Sequence, residues 1–148
     1  TPSRPFPCNA QVIVYESSTA AGNPFAAATT SPYVFLDQLG TESWTGYCLA
    51  HAFTNQDFAE GVVGLANVGT ICRSPSSSGY TGSSSGLRVH STNTGITTTV
   101  NFGSTNSELQ TKLVFAHEVG HNFGMNVSTT ANIDTAALFF LLGFGFAC

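Results

Sequence analysis

Charge is what this sequence has least of. Four Lys and Arg with eight Asp and Glu make up only 8% of its 148 residues, against about a quarter in an average globular domain. The net charge of −4 lacks the basic footprint that nucleic acid or anionic lipid demands, so no nucleic-acid partner is expected. The same scarcity leaves little like-charge repulsion between copies, which favours self-association. Long apolar runs are also missing. The most apolar stretch, AALFFLLGFGFAC from Ala136 to Cys148, falls short of the roughly 20 residues a bilayer needs. No membrane span is expected, and this tail reads either as a buried helix or strand or as a surface for assembly. No two cysteines have the CxxC spacing, which argues against a thiolate metal site or a thioredoxin-type redox motif. The N-terminus carries no recognisable signal peptide, so the expectation is a mature chain whose leader was removed or lies outside the sequence.

What is present fits an oxidising compartment. Serine and threonine take the polar role usually filled by Lys and Glu, a composition suited to a secreted, O-glycosylated protein. The four cysteines, Cys8, Cys48, Cys72 and Cys148, predict two disulfides with three possible connectivities. The length predicts a single domain spanning residues 1–148 with a core of its own.

Along the chain, QVIVYES (Gln11 to Ser17) reads as a strand from its β-branched and aromatic residues. YVFLDQL is a short helix or strand. YCLAHAF (Tyr47 to Phe53) is a continuous apolar run, as in a strand buried on both faces. GVVGLANVG (Gly61 to Gly69) is strand-like with internal glycines, which mark places where another backbone comes close. The stretch Arg73 to Gly86 is a Ser/Gly-rich surface loop, and LRVHS and GITTTVNF read as strands. The clearest helix runs from about residue 108 to 123. Ser107 and Gln110 form a capping box at its start, and Gly124 lies at its end. Strands followed by a long helix, without regular alternation, predict an α+β (mixed α/β) fold.

That helix carries AHEVGHNFGMNV, Ala116 to Val127. His117 and His121 are four residues apart and share one helix face, so their imidazoles can hold one metal ion. Glu118 lies one position round from His117, placed to take the proton of an attacking water rather than to ligate. HExxH on a helix is specific because it fixes two ligands and a base at set offsets, and a catalytic zinc site needs about three protein ligands with one position open. His51, in an apolar run, reads as a hydrogen-bonded core histidine. His90 reads as an ordinary strand residue or a stray ligand.

LVFAHEVGHNFG, Leu113 to Gly124, resembles the active-site helix of the ADAM metalloproteases, within the metzincins, and the Kuzbanian-like branch above all. YCLAHAFTNQDFAEGVVGLANVG (Tyr47 to Gly69), Ile71–Cys72 and NTGITTTVNFG (Asn93 to Gly103) resemble successive segments of the same catalytic domain, in order. The resemblance covers about residues 47–124. It implies a zincin-like twisted sheet, one zinc per chain held by His117 and His121, and Glu118 as general base and acid. It further implies an edge strand at Val63, Gly64 and Leu65 that pairs with an extended peptide substrate. Leu113 and Val114 would help line the specificity pocket, and Gly124 would allow a sharp turn after the helix.

The sequence departs from the family after Gly124. Val127 stands where the third zinc ligand belongs and Ser128 where an aspartate follows it. The lone methionine, Met125, directly follows the helix, so no Met-turn is expected. The front of the chain also looks short of the family's first strands and long helix, which would leave apolar sheet surface to be covered. Asp134, His90 or another subunit are the candidates for a third ligand. The sequon Asn126-Val127-Ser128 predicts a glycan on Asn126 beside the site. Two functions follow as expectations. One is an extracellular zinc metalloendopeptidase domain acting on peptide or protein substrates. The other is a non-catalytic extracellular module that uses a protease-derived fold to self-assemble, even into a filament.

Overall fold

The computed structural model describes residues 11–17, 19–25, 29–73 and 90–125. Cys8, Asn126, Val127, Ser128, Asp134, Cys148 and the apolar tail lie outside the described residues, as does most of the Ser/Gly-rich loop.

Helix α1 spans Pro32–Gly40. Ser31 caps it by accepting from the Val34 amide, and Pro32 sits at its first position, where a missing N–H costs nothing. Strands β1 (Ala50–Thr54), β2 (Gly64–Ala66) and β3 (Thr94–Thr98) form a three-stranded sheet in the order β1-β3-β2. β1 runs parallel to β3 with His51 opposite Gly95. β2 runs antiparallel to β3 with Gly64 opposite Thr97 and Leu65 opposite Ile96. A short hairpin of β4 (Val100–Asn101) and β5 (Ser104–Thr105) follows. Its turn residues Phe102 and Gly103 both have positive φ, and the Asp57 carboxylate accepts from both of their amides. Helix α2 spans Glu108–Asn122.

The two helices cover opposite faces of the sheet. Ile96 of β3 packs with Phe35, Leu36, Leu39 and Phe58, and Ala52 and Leu65 close the same cluster. α1 therefore sits on the face that Ala52, Leu65 and Ile96 share. His51 of β1 and Gly64 and Gly95 of the sheet meet side chains of α2 instead, because alternate strand residues point to opposite faces. The result is a mixed α+β sandwich, as expected from the sequence. The sheet face expected to be bare is filled by α1.

Two strand expectations are corrected. Residues 11–15 form no strand, with Val12 90% and Val14 74% exposed. Strand propensity alone does not make a strand: its amides need a neighbour, and no described strand pairs with this segment. β1 is not buried on both faces. It lies at one side of the described sheet with Phe53 59% exposed, and the fully buried strand is β3. Within LRVHS, residues 87–89 lie outside the described residues, and His90 makes only an isolated bridge.

Candidate functional site

Helix α2 begins as its local sequence dictates. Ser107 Oγ accepts from the Gln110 amide and Gln110 Oε1 accepts from the Ser107 amide, the reciprocal pairing of a capping box. From there, two rows at four-residue spacing run along the helix. Leu113, His117 and His121 form a half-buried row. Val114, Glu118 and Asn122 form a buried row against the sheet.

In the half-buried row, the Nε2 atoms of His117 and His121 stand 3.0 Å apart. Two nitrogens bound to one tetrahedral ion at zinc–imidazole distances are separated by about 3.3 Å, so the pair is close to a chelating bite. His121 Nδ1 lies 2.8 Å from the Met125 carbonyl oxygen. A carbonyl only accepts, so His121 carries its proton on Nδ1 and directs the Nε2 lone pair toward His117. A backbone acceptor behind a ligating histidine is the usual device for fixing its tautomer. His117 then supplies the proton shared between the two Nε2 atoms, which a metal would displace. Burial first, and the neighbouring His121 second, hold the His117 imidazole below its ordinary pKa, which favours the neutral form that binds metal. The donors present therefore fit two positions of a zinc site. Among the described residues no group of three His, Cys, Asp or Glu gathers to complete it. His90 is turned elsewhere: its Nδ1 is 3.3 Å from Asp37 Oδ1, out of line for a hydrogen bond, and its ring rests on Gly40 of α1.

In the buried row, Glu118 is 6% exposed, and burial pushes its carboxyl up to about 8. Its side chain lies over the Cα of Gly64. Of the expected edge residues, Gly64 thus meets Glu118 from β2, Leu65 packs with Ile96 on the opposite face, and Val63 directly precedes the strand. Val63 gives its carbonyl to the Thr98 amide, and no described strand occupies the outer side of β2. Leu113 and Val114 fall in different rows, Leu113 half-buried beside the histidines and Val114 buried beneath them.

Asn122 is the residue that sequence reading passed over. It is fully buried. Its Nδ2 donates to Asn67 O and Thr94 O, each at 2.9 Å, and to Thr70 Oγ1 at 3.3 Å. Its own carbonyl accepts from the Thr70 and Ile71 amides, and the His121 carbonyl accepts from Gly69. One side chain and two carbonyls therefore tie the end of α2 to β3 and to the loop after β2. The signal was available: a polar residue eight positions after Val114, in the row that must be buried, needs partners from another element. Just beyond, Gly124 has φ +91°, the left-handed conformation that ends a helix at glycine. Met125 folds its methyl back against Gly120, where a β-carbon would collide with it.

His51 lies beneath this site. Its Nε2 is 2.9 Å from Thr97 Oγ1, and its ring packs edge-on to Phe115 at 4.8 Å. Burial lowers its pKa to about 4, so it is a neutral core histidine. Cys48 and Cys72 are both disulfide-bonded, and the Cys72 amide donates to the Cys48 carbonyl. No helix among the described residues is long and apolar enough to cross a membrane.

Residues 5–137 match the family described as metallo-peptidase family M12B, reprolysin-like. Human disintegrin and metalloproteinase domain-containing protein 10 is 43% identical over 105 residues, covering 69% of this chain and 14% of that protein. The Xenopus laevis protein of the same name is 40% identical over 112 residues, 69% of this chain and 14% of its own length. The Caenorhabditis elegans homolog is 36% identical over 116 residues, 73% of this chain and 12% of its own. The chain therefore spans a small part of the length of the curated relatives it matches.

Proposed function

The chain belongs to the M12B reprolysin-like metallopeptidase family, and on that premise we propose that it is an extracellular zinc metalloendopeptidase domain, with zinc bound once per chain. The observation that carries this reading is the pair of converging Nε2 atoms, with the His121 tautomer fixed by the Met125 carbonyl. The extracellular placement is supported by the disulfide-bonded Cys48 and Cys72, since such bonds persist in oxidising compartments.

Each residue then has a task. Nε2 of His117 and of His121 hold zinc together with a ligand from outside the described residues, where Asp134 and another subunit remain the candidates. When bound, zinc supplies Lewis acidity that polarises a carbonyl and acidifies water. Glu118 takes the proton of the attacking water at a carboxyl oxygen and returns it to the departing amine. Left alone, its buried carboxyl is neutral at pH 7, and a positive charge at the histidine pair favours the carboxylate a base requires. Val63, Gly64 and Leu65 offer the outer side of β2 to an extended peptide, which adds as a further strand. Leu113 and Val114 contribute to side-chain specificity.

Zinc content of dialysed protein, measured together with cleavage of fluorescein-labelled casein, tests the reading. The expected result is one zinc per chain and hydrolysis that Glu118→Ala abolishes while zinc is retained. Hydrolysis that survives Glu118→Ala, or no retained zinc, overturns it.

The exposure of Val12, Val14 and Phe53 favours a second reading, a non-catalytic module that self-associates through apolar surface and a free sheet edge. A single sedimenting species of monomer mass at high protein concentration rejects that reading.

A further inference from the structure

We propose that Gly64 is a positioning residue for Glu118: its missing side chain is the space in which the carboxylate arm lies beneath the peptide-binding edge. This inference rests on the peptidase reading and deepens it. Nothing in the backbone asks for glycine at this position. Gly64 lies outside the left-handed region, unlike six other glycines of the described residues, and it sits in a regular antiparallel register opposite Thr97. A strand interior ordinarily prefers almost any other residue. What asks for glycine is α2. A β-carbon on Gly64 would stand 2.5 Å from Glu118 Oε1, 2.7 Å from Cγ and 2.8 Å from Cδ, all far inside van der Waals contact. Three atoms of the arm therefore lie flat on the Cα of Gly64, and the buried helix row of Val114, Glu118 and Asn122 aims them there. The sheet contributes a further glycine on the same face for a related purpose: a β-carbon on Gly95 would meet His51 Nδ1 at 2.7 Å and Asn122 Oδ1 at 3.2 Å. Gly64 thus couples the edge strand to the base, so that whatever pairs with β2 lies alongside the carboxyl.

Because the obstructed atoms belong to a flexible side chain, Gly64→Ala leaves the fold standing and displaces the carboxyl. The test is a cycle of four versions of this 148-residue chain: wild type, Gly64→Ala, Glu118→Ala and the double variant. Thermal midpoints are measured on all four, and kcat and KM on fluorescein-labelled casein after zinc loading. Gly64→Ala is expected to lower the midpoint by about 3 °C when Glu118 is present and not at all when residue 118 is alanine. It is expected to lower kcat by about 100-fold, the scale of a lost general base, with KM within two-fold (roughly the reproducibility of such assays). An equal midpoint loss in both backgrounds overturns the proposal, since the glycine would then serve something other than Glu118. A raised KM with unchanged kcat also overturns it and leaves Gly64 as a plain edge contact. Should the wild type fail to cleave casein, the peptidase reading fails. The midpoint cycle still decides whether Gly64 makes room for Glu118.

Discussion

Three of the molecule's four histidines fall into two neighbouring environments, and their fates differ. His117 and His121 stand in the half-buried row of α2, ring nitrogens facing each other at 3.0 Å. His51 lies on the sheet below, edge-on to Phe115 of that helix and bonded to Thr97. The same side chain faces a second imidazole above and is a core residue beneath. What separates them is not burial alone, since burial lowers the pKa of both His117 and His51. The difference is a second donor within chelating distance and a carbonyl that fixes the tautomer of one partner. His51 has an aromatic wall and a hydroxyl instead, neither of which organises a metal site.

Exchanging the two environments is the strongest way to break this comparison. His117→Ala should weaken zinc binding by about 1,000-fold, more than the 10–100-fold of losing an outer-shell contact, with the unfolding midpoint nearly unchanged in metal-free protein. His51→Ala should do the reverse, leaving zinc affinity within a few-fold and lowering stability by about 3 kcal/mol. Competition with a chromophoric chelator and urea unfolding measure the two quantities. Equal effects of both substitutions on zinc would mean that the lower histidine is part of the centre.

Asn122 joins the two environments, and its loss comes next. Asn122→Ala removes one of two donors from each of Asn67 O and Thr94 O, leaving Thr70 Oγ1 on the first and the Asn67 amide on the second, and it empties a fully buried position. The expected cost is about 2–3 kcal/mol, measured by urea unfolding. Asn122→Asp should cost at least as much, because a carboxylate cannot donate to those carbonyls. A destabilisation below about 0.5 kcal/mol, the usual effect of an unremarkable surface change, would show that the helix end is held by Gly69, Thr70 and Ile71 alone.

Much of the upper environment was legible in the sequence, and little of the lower one. Ser107, Gln110, His117, His121 and Gly124 are governed by local rules: capping, four-residue spacing and a left-handed terminus act within a turn or two. Each could be read without knowing what lay opposite. Gln11 to Ser17 shows the limit, since its strand-like composition says nothing of whether a neighbour is available. Gly64 was legible as a close approach, but a carboxylate arm does the approaching, not a backbone. Asn122 required knowing that its row is buried and that Asn67 and Thr94, 55 and 28 residues away, end up beneath it. Contacts across such separations leave no period in the sequence.

Acidity separates the environments again, with opposite signs. The folded pKa of Glu118 is raised from 4.5 to about 8, so its contribution is fully present below 4.5 and is lost as pH rises through 8. The folded pKa of His51 is lowered from 6.5 to about 4, so its contribution is present above 6.5 and is lost as pH falls through 4. Between pH 6.5 and 8 the histidine is neutral in both states, and Glu118 acts alone of the two. Chelator-treated protein should lose about 2 kcal/mol across that window, and Glu118→Gln should flatten the slope. A slope that survives Glu118→Gln would assign the effect to another group.

The smallest expected effect lies at the far end of α2. Ser107→Ala removes the hydroxyl that accepts from the Gln110 amide at 3.2 Å. Ser107 and Gln110 are exposed, so water replaces part of what is lost, and the cost should be about 1 kcal/mol. At 1.5 Å of rise per residue, the cap stands about 15 Å along the axis from His117. The C-terminal turn has its own anchors in Asn122 and in the Gly69 amide bonded to the His121 carbonyl. Fraying at the first turn should therefore not reach the histidine pair. The unfolding midpoint is expected to fall by about 3 °C while zinc affinity stays unchanged. If zinc affinity falls in step with the midpoint, α2 behaves as one rigid lever, and the independence of its two ends is lost.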